Sequence, residues 1–288
     1  KKYLFSYQFL WRSFIAIIIF FWPINEVIYV KNILIILFSI DFIYNLYRFL
    51  RKKLYRPVFT KKASLIISLT ILLEGSLFLF KKDWMALIVL LIIRFLLIGF
   101  VIKIVDLLSL LVKKYLVKKA TQKIQKYNNL IIVGITGSYG KTSIKKFLGH
   151  ILSIKYKVIL TPKNINTEIG IAQFILKNDF SDYQIFIVEM GAYKNGEIKS
   201  ICNMVSPKIG ILSAINEQHL SLFGDIKSTQ ETKYELLRSL PENGLAVVNS
   251  DNFYTREFIH ELKTNVKTFG LESENNPDCL IKDIHTNL

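Results

Sequence analysis

The decapeptide GITGSYGKTS, Gly134 to Ser143, holds the residue types of a phosphate cradle. It follows the apolar run Leu130-Ile131-Ile132-Val133 and precedes the helical pattern IKKFLGHIL. A strand that turns through glycines into a helix aims successive backbone N–H groups at an anion, and the helix dipole adds to them. Thr136, Gly137, Ser138, Tyr139 and Gly140 then form the cradle. Lys141 reaches the β- and γ-phosphates of a bound ATP, and the Thr142 hydroxyl faces its Mg²⁺. The strict spacing G-x-x-x-x-G-K-[ST] asks for glycine at position 135, which is Ile135; the glycines stand at 134, 137 and 140.

The elements around this loop repeat one alternation. LIIVGIT, KVILT, YQIFIVEM, KIGILSAI and GLAVVNS read as short buried strands, separated by helical patterns from Thr142 and near 168–177, 195–203 and 227–239. Strands alternating with helices predict an α/β domain with a mostly parallel sheet, whose ligands gather at the carboxyl ends of the strands. That domain is expected over residues 128–288.

Residues 1–127 differ in kind. They hold 21 Lys/Arg against 5 Asp/Glu, whereas residues 128–288 hold 17 of each, so all of the +16 net charge lies in the first stretch. A neutral second half argues against nucleic-acid binding. Runs near 4–22, 28–47, 64–80 and 84–103 are apolar, and a membrane span needs about 20 residues of helix. Residues 1–104 therefore predict a bundle of about four transmembrane helices. Basic segments at 48–62 and 113–126 place both chain ends and the ATP site on the cytoplasmic face of the inner membrane. Residues 105–127 read as a basic amphipathic linker helix lying against membrane lipid. Glu74 and Arg94 fall mid-run, where a mutual ion pair is the expected resolution, and Asp41 is placed to answer Arg48. Cys202 and Cys279 form neither a metal spacing nor a disulfide framework. The chain opens on Lys-Lys, so its N-terminus is expected to be incomplete.

The stretches GITGSYGKTS, TPKNINTEIGIA, EMGAYKNGEI, INEQHLSLFGD, TKYELL and LPENGLAVVNSDN resemble, in this order, the central ATP-binding domain of the Mur ligase family. The likeness is nearest to that family's D-alanyl-D-alanine-adding branch and covers residues 130 to about 255. It implies an ATP-dependent amide ligase that activates a carboxylate of a peptidoglycan precursor as an acyl phosphate, for attack by an amine such as D-alanyl-D-alanine. It implies Mg²⁺ held by Thr142, Glu189, His219 and Lys233, the last as a carbamate, with Lys141, His219 and Lys233 serving catalysis. Glu189 closes an apolar strand, and its carboxylate suits a hard cation. Thr161, Asn164 and Asn166 fall where the family meets its substrate, or cap an ordinary loop. Asn249, Asp251 and Asn252 either approach the adenosine or form a turn.

Two positions depart from the branch: Ala214 stands where asparagine is usual, and Asn216 where glycine is expected. The family's N-terminal uridine-nucleotide domain has no counterpart in residues 1–127, and its C-terminal domain is expected beyond Leu288. Two other readings remain at this stage. One is a membrane-bound ligase of another polymer, of the poly-glutamate capsule type. The other is a non-catalytic nucleotide-binding scaffold.

Overall fold

The computed structural model describes residues 60–80, 84–216 and 225–282, with scattered positions between 36 and 51. The chain divides into two compact units, residues 1–110 and 111–288. In the first unit lie α1 (Lys61–Phe80) and the greater part of α2 (Trp84–Ile124). Lys62 and Asp106 pair there at 2.6 Å, both well exposed.

No helix among the described residues is long and apolar enough to cross a membrane. This overturns the expected bundle of transmembrane helices, and with it the multi-pass inner-membrane placement. The helix boundaries also differ from that expectation. Helix α1 opens on Lys61-Lys62 and carries Glu74, and the apolar run from Trp84 does not end near 103. It continues as one helix past Lys103, Asp106, Lys113 and Lys114 to Ile124, so the expected boundary between span and linker helix is absent there. The runs 4–22 and 28–47 lie outside the described residues, save those scattered positions, as do Asp41, Arg48 and the side chain of Arg94.

The second unit is built on a seven-stranded sheet. Its strands are β1 (Ile131–Thr136), β2 (Val158–Leu160), β3 (Ile185–Glu189), β4 (Ile209–Leu212), β5 (Leu245–Asn249), β6 (Asn265–Gly270) and β7 (Cys279–Leu280). The order is β2-β3-β1-β4-β5-β6-β7, and every neighbouring pair is parallel. The central strands are apolar up to their last residues, Thr136 in β1 and Glu189 in β3, because both faces are covered. On one face Val133, Ile135, Ile185, Ile187 and Ile211 pack under Ile144, Leu148 and Leu152 of α3 (Lys141–Leu152). The alternate residues Ile132, Phe186, Val188, Leu212 and Val248 belong to the larger core on the other face. That core is closed by α4 (Glu168–Lys177), α5 (Glu197–Val205), α6 (Ile226–Arg238) and the Ala120–Ile124 end of α2. A short helix, α7 (Phe253–Arg256), follows β5.

Two caps show how side chains fix helix starts. Thr167 accepts from Gly170 N at the head of α4, and Asp225 accepts from Ser228 N at the head of α6. Helix α5 starts at Gly196 with no cap of its own. The Glu235 carboxylate of α6 supplies one from across the core, accepting from Gly196 N at 2.5 Å and Lys199 N at 2.8 Å.

Sheet topology decides where a ligand goes. The chain leaves β1 toward β3 and β2, then crosses to β4 and β5 on the other side. The reversal leaves a crevice at the carboxyl ends of β1, β3 and β4.

Candidate functional site

The glycine loop sits in that crevice, between β1 and α3. Gly137 has φ 150° and Gly140 φ 78°, both in the region that favours glycine. Gly137 is constrained by space as well, since a Cβ there would stand 1.9 Å from Ser213 Oγ. Ser213 Oγ instead donates to Tyr139 O at 2.6 Å, and Ser138 N donates to Ala214 O at 2.7 Å. The end of β4 thereby sets the loop from below. At position 214 the anchoring atom is a backbone carbonyl, which alanine supplies as well as asparagine does. Ile135, where the strict motif has glycine, is a fully buried strand residue of the core beneath α3.

Lys141 and Lys233 converge on the loop. Lys141 Nζ donates to Gly137 O at 2.7 Å, and Lys233 Nζ, from α6, donates to the same oxygen at 3.1 Å. Lys233 is buried, at 8% exposure. Burial first and the neighbouring Lys141 charge second bring its pKa down to about 8. Burial also lowers Lys141, with the Glu189 carboxylate opposing that effect. Two ammonium groups on one carbonyl oxygen favour an anion arriving between them.

Glu189 ends β3 as a buried carboxylate, 3% exposed. Its Oε2 accepts from Lys145 Nζ at 2.8 Å and from Thr142 Oγ1 at 3.0 Å. Its Oε1 accepts from Asn166 Nδ2 at 3.2 Å, and its backbone N donates to Thr161 Oγ1 at 3.1 Å. Burial alone would raise its pKa, but the bonds from Lys145, Asn166 and Thr142 outweigh it and hold the group below the ordinary range. An ionised carboxylate beside a threonine hydroxyl is a donor set for a hard divalent cation completed by phosphate oxygens and water. Among the described residues no group of three His, Cys, Asp or Glu side chains could hold a metal by itself.

The structure thus gathers Thr136, Gly137, Ser138, Tyr139, Gly140, Lys141, Thr142, Thr161, Asn166, Glu189 and Lys233 around one crevice. Asn164 stands exposed on the same loop as Asn166, with φ 66°. His219 lies outside the described residues. Asn249, Asp251 and Asn252 form a bonded turn after β5. Asn249 Oδ1 accepts from Asp251 N at 2.9 Å, and Asp251 accepts from Leu271 N at 2.7 Å and Glu272 N at 3.2 Å. Asn252 exchanges two bonds with the backbone of Ile215, at 3.0 and 3.2 Å.

Sequence reasoning missed Lys145 and Ser213. Lys145 lies one turn beyond Lys141 on the same helical face, which was the available signal. A lysine in the pattern IKKFLGHIL otherwise reads as a solvated position.

A parallel sheet with a glycine loop between its central strand and the following helix defines a phosphate-loop α/β nucleotide-binding domain. The particular family follows from comparison: residues 135–287 match the Mur ligase middle domain, and the chain belongs to the Mur ligase family. A UDP-N-acetylmuramoyl-tripeptide–D-alanyl-D-alanine ligase of Escherichia coli is 34% identical over 121 residues, 42% of this chain and 26% of that protein. The ligase of the same name from Treponema pallidum is 30% identical over 131 residues, 45% of this chain and 28% of that protein. The crystal structure of the MurF ligase from Thermotoga maritima in complex with ADP superposes with a TM-score of 0.55 and 34% identity. That match covers 59% of this chain and 39% of the other. The chain matches about a quarter of the length of these curated relatives.

Proposed function

We propose that this chain carries the ATP-binding part of an ATP-dependent amide ligase of peptidoglycan precursor synthesis. In that reaction a carboxylate oxygen of a muramoyl-peptide substrate attacks the γ-phosphorus of ATP, ADP leaves, and an acyl phosphate forms. The amine of D-alanyl-D-alanine then attacks the acyl carbon, and phosphate departs as the amide bond closes. The relatives bear the name of this activity, and the observation that carries it to this chain is the convergence of Lys141, Lys233, Thr142 and Glu189 on one loop.

Each residue has a task suited to its surroundings. The Ser138–Gly140 loop offers N–H groups to phosphate oxygens, and Lys141 turns from Gly137 O to the β- and γ-phosphates. Glu189 and Thr142 would hold Mg²⁺, which would supply positive charge where negative charge gathers on the transferring phosphoryl group. With its pKa near 8, Lys233 offers a useful fraction of free amine at neutral pH, the form that takes up CO₂ as a carbamate. Thr161 and Asn166 fix the backbone and carboxylate of Glu189, so the substrate loop and the metal ligand move as one body. His219 completes the proposed set.

Calorimetric titration of the chain with a non-hydrolysable ATP analogue and Mg²⁺ tests the reading. Lys141→Ala is expected to lower affinity by about 10- to 100-fold, as for the loss of a charge-assisted hydrogen bond. Its thermal melting should stay near wild type, because among the described residues Lys141 bonds only to loop carbonyls. Equal affinity in the variant would remove the phosphate-site assignment.

A further inference from the structure

We propose that Lys145 is a positioning residue that makes divalent-cation binding at Glu189 conditional on the nucleotide's phosphates. The inference rests on the assignment of Glu189 and Thr142 as Mg²⁺ ligands.

Lys145 is 2% exposed, and among the described residues its ammonium has two oxygen partners: Glu189 Oε2 at 2.8 Å and Pro162 O at 3.3 Å. Oε2 is also the oxygen that Thr142 reaches, at 3.0 Å. A divalent ion bridging Thr142 and Glu189 must therefore settle within a few ångströms of a fixed positive charge. Cations that close, at the low effective dielectric of a buried site, repel by several times thermal energy. Burial keeps Lys145 from swinging into water, because its stem is enclosed beneath α3 and its head is held on Pro162 O. A free divalent ion consequently meets a half-neutralised carboxylate and a resident cation. A triphosphate changes the balance, since its oxygens bring several negative charges to the same place and offset Lys145. The lysine also joins the metal ligand to the 161–167 loop through Pro162 O, which keeps Glu189 aimed at Thr142. A lysine that served packing alone would need neither the carboxylate nor a place against Thr142 and Glu189.

The test measures binding of Mn²⁺ alone to the full chain, read from the electron paramagnetic resonance signal of the free ion, with and without a non-hydrolysable ATP analogue. Wild type should bind Mn²⁺ weakly by itself and much more tightly with the analogue. Lys145→Gln, which keeps a donor for Glu189 and Pro162 but removes the charge, should gain about tenfold or more in affinity for Mn²⁺ alone. Its gain with the analogue present should be smaller, so the coupling between metal and nucleotide shrinks. Lys145→Arg should restore weak binding of Mn²⁺ alone. Lys145→Met serves as a second neutral variant, and circular dichroism establishes that each variant is folded. Unchanged or weaker binding of Mn²⁺ alone in a folded neutral variant, with analogue-dependent binding intact, overturns the role of Lys145 and spares the ligand assignment. Absence of Mn²⁺ binding to wild type even with the analogue overturns both.

Discussion

Two carboxylates stand just past parallel strands of one sheet and meet opposite fates. Glu189 ends β3 beside the glycine loop, and Asp251 follows β5 toward the sheet's far edge. Each accepts three or more hydrogen bonds, and each has its pKa held down. The donors differ. Those on Glu189 are side chains, Lys145, Thr142 and Asn166, and the torsions of Thr142 and Asn166 can turn them away to admit a ligand. Those on Asp251 include the backbone N–H groups of Leu271 and Glu272, which cannot withdraw unless the turn after β6 opens. Gly270 is tied to the same arrangement, since a Cβ there would stand 2.4 Å from Asp251 Oδ1. An acid at a strand end is thus a ligand or a staple according to whether side chains or backbone satisfy it.

The sharpest way to break this contrast exchanges the two losses. Glu189→Gln should weaken Mg²⁺-dependent binding of an ATP analogue by about 10- to 100-fold while the variant stays folded, as for one lost charged ligand. Asp251→Ala should leave analogue affinity within about twofold and lower unfolding free energy by about 0.5–1.5 kcal/mol, the net worth of an exposed hydrogen-bonded turn. Calorimetry and denaturant melts on both variants decide. Loss of nucleotide affinity in folded Asp251→Ala would place that residue at the adenosine, the other of the two readings its sequence left open.

A smaller effect separates the same regions by pH. Lys233 has a folded pKa of about 8 against an ordinary 10.5, so the native state binds fewer protons between those values and stability rises with pH across them. Below pH 8 the full penalty of burying the charge is present. Lys233→Met should therefore melt higher than wild type at pH 7, by roughly 1–3 kcal/mol in unfolding free energy. The advantage should vanish by pH 10.5, and a constant difference across that range would show that the ammonium is not the destabilising group.

At the sheet edge the sign reverses and the size falls. Asp278, held at a pKa of about 2 by Lys267 and then by the backbone and hydroxyl of Thr268, stabilises the β6–β7 edge above its ordinary pKa of 3.8. That contribution should fade as pH drops from about 4 to 2. Asp278→Asn should lower the melting temperature slightly at pH 7 and leave it unchanged at pH 2, as scanning calorimetry would show. An equal loss at both pH values would mean that the carboxylate's charge is not what matters there.

How much of this was legible beforehand depended on the kind of signal. Strands β1 to β5 announced themselves because a parallel sheet covered on both faces must be apolar at consecutive positions. Strand β6, NVKTFG, alternates exposed and half-buried residues near the sheet edge, and β7 has only two residues, so neither showed. The apolar runs of the first half were read by composition as membrane spans. The described helix from Trp84 instead runs on without a break to Ile124, and where a helix ends is a matter that composition does not reveal.

Residue types and order alone determined the glycine loop, the lysine and threonine after it, and the acid closing an apolar strand. Those features are local, set by glycine's access to positive φ and by the periods of strand and helix. Only the tertiary structure decided which polar side chains share a site. It brought Lys145 and Lys233 to the same crevice from different helices and turned Asp251 and Asn252 toward backbone partners. A lysine on a helix is solvated or buried according to what packs over it, and that depends on residues far away in the chain.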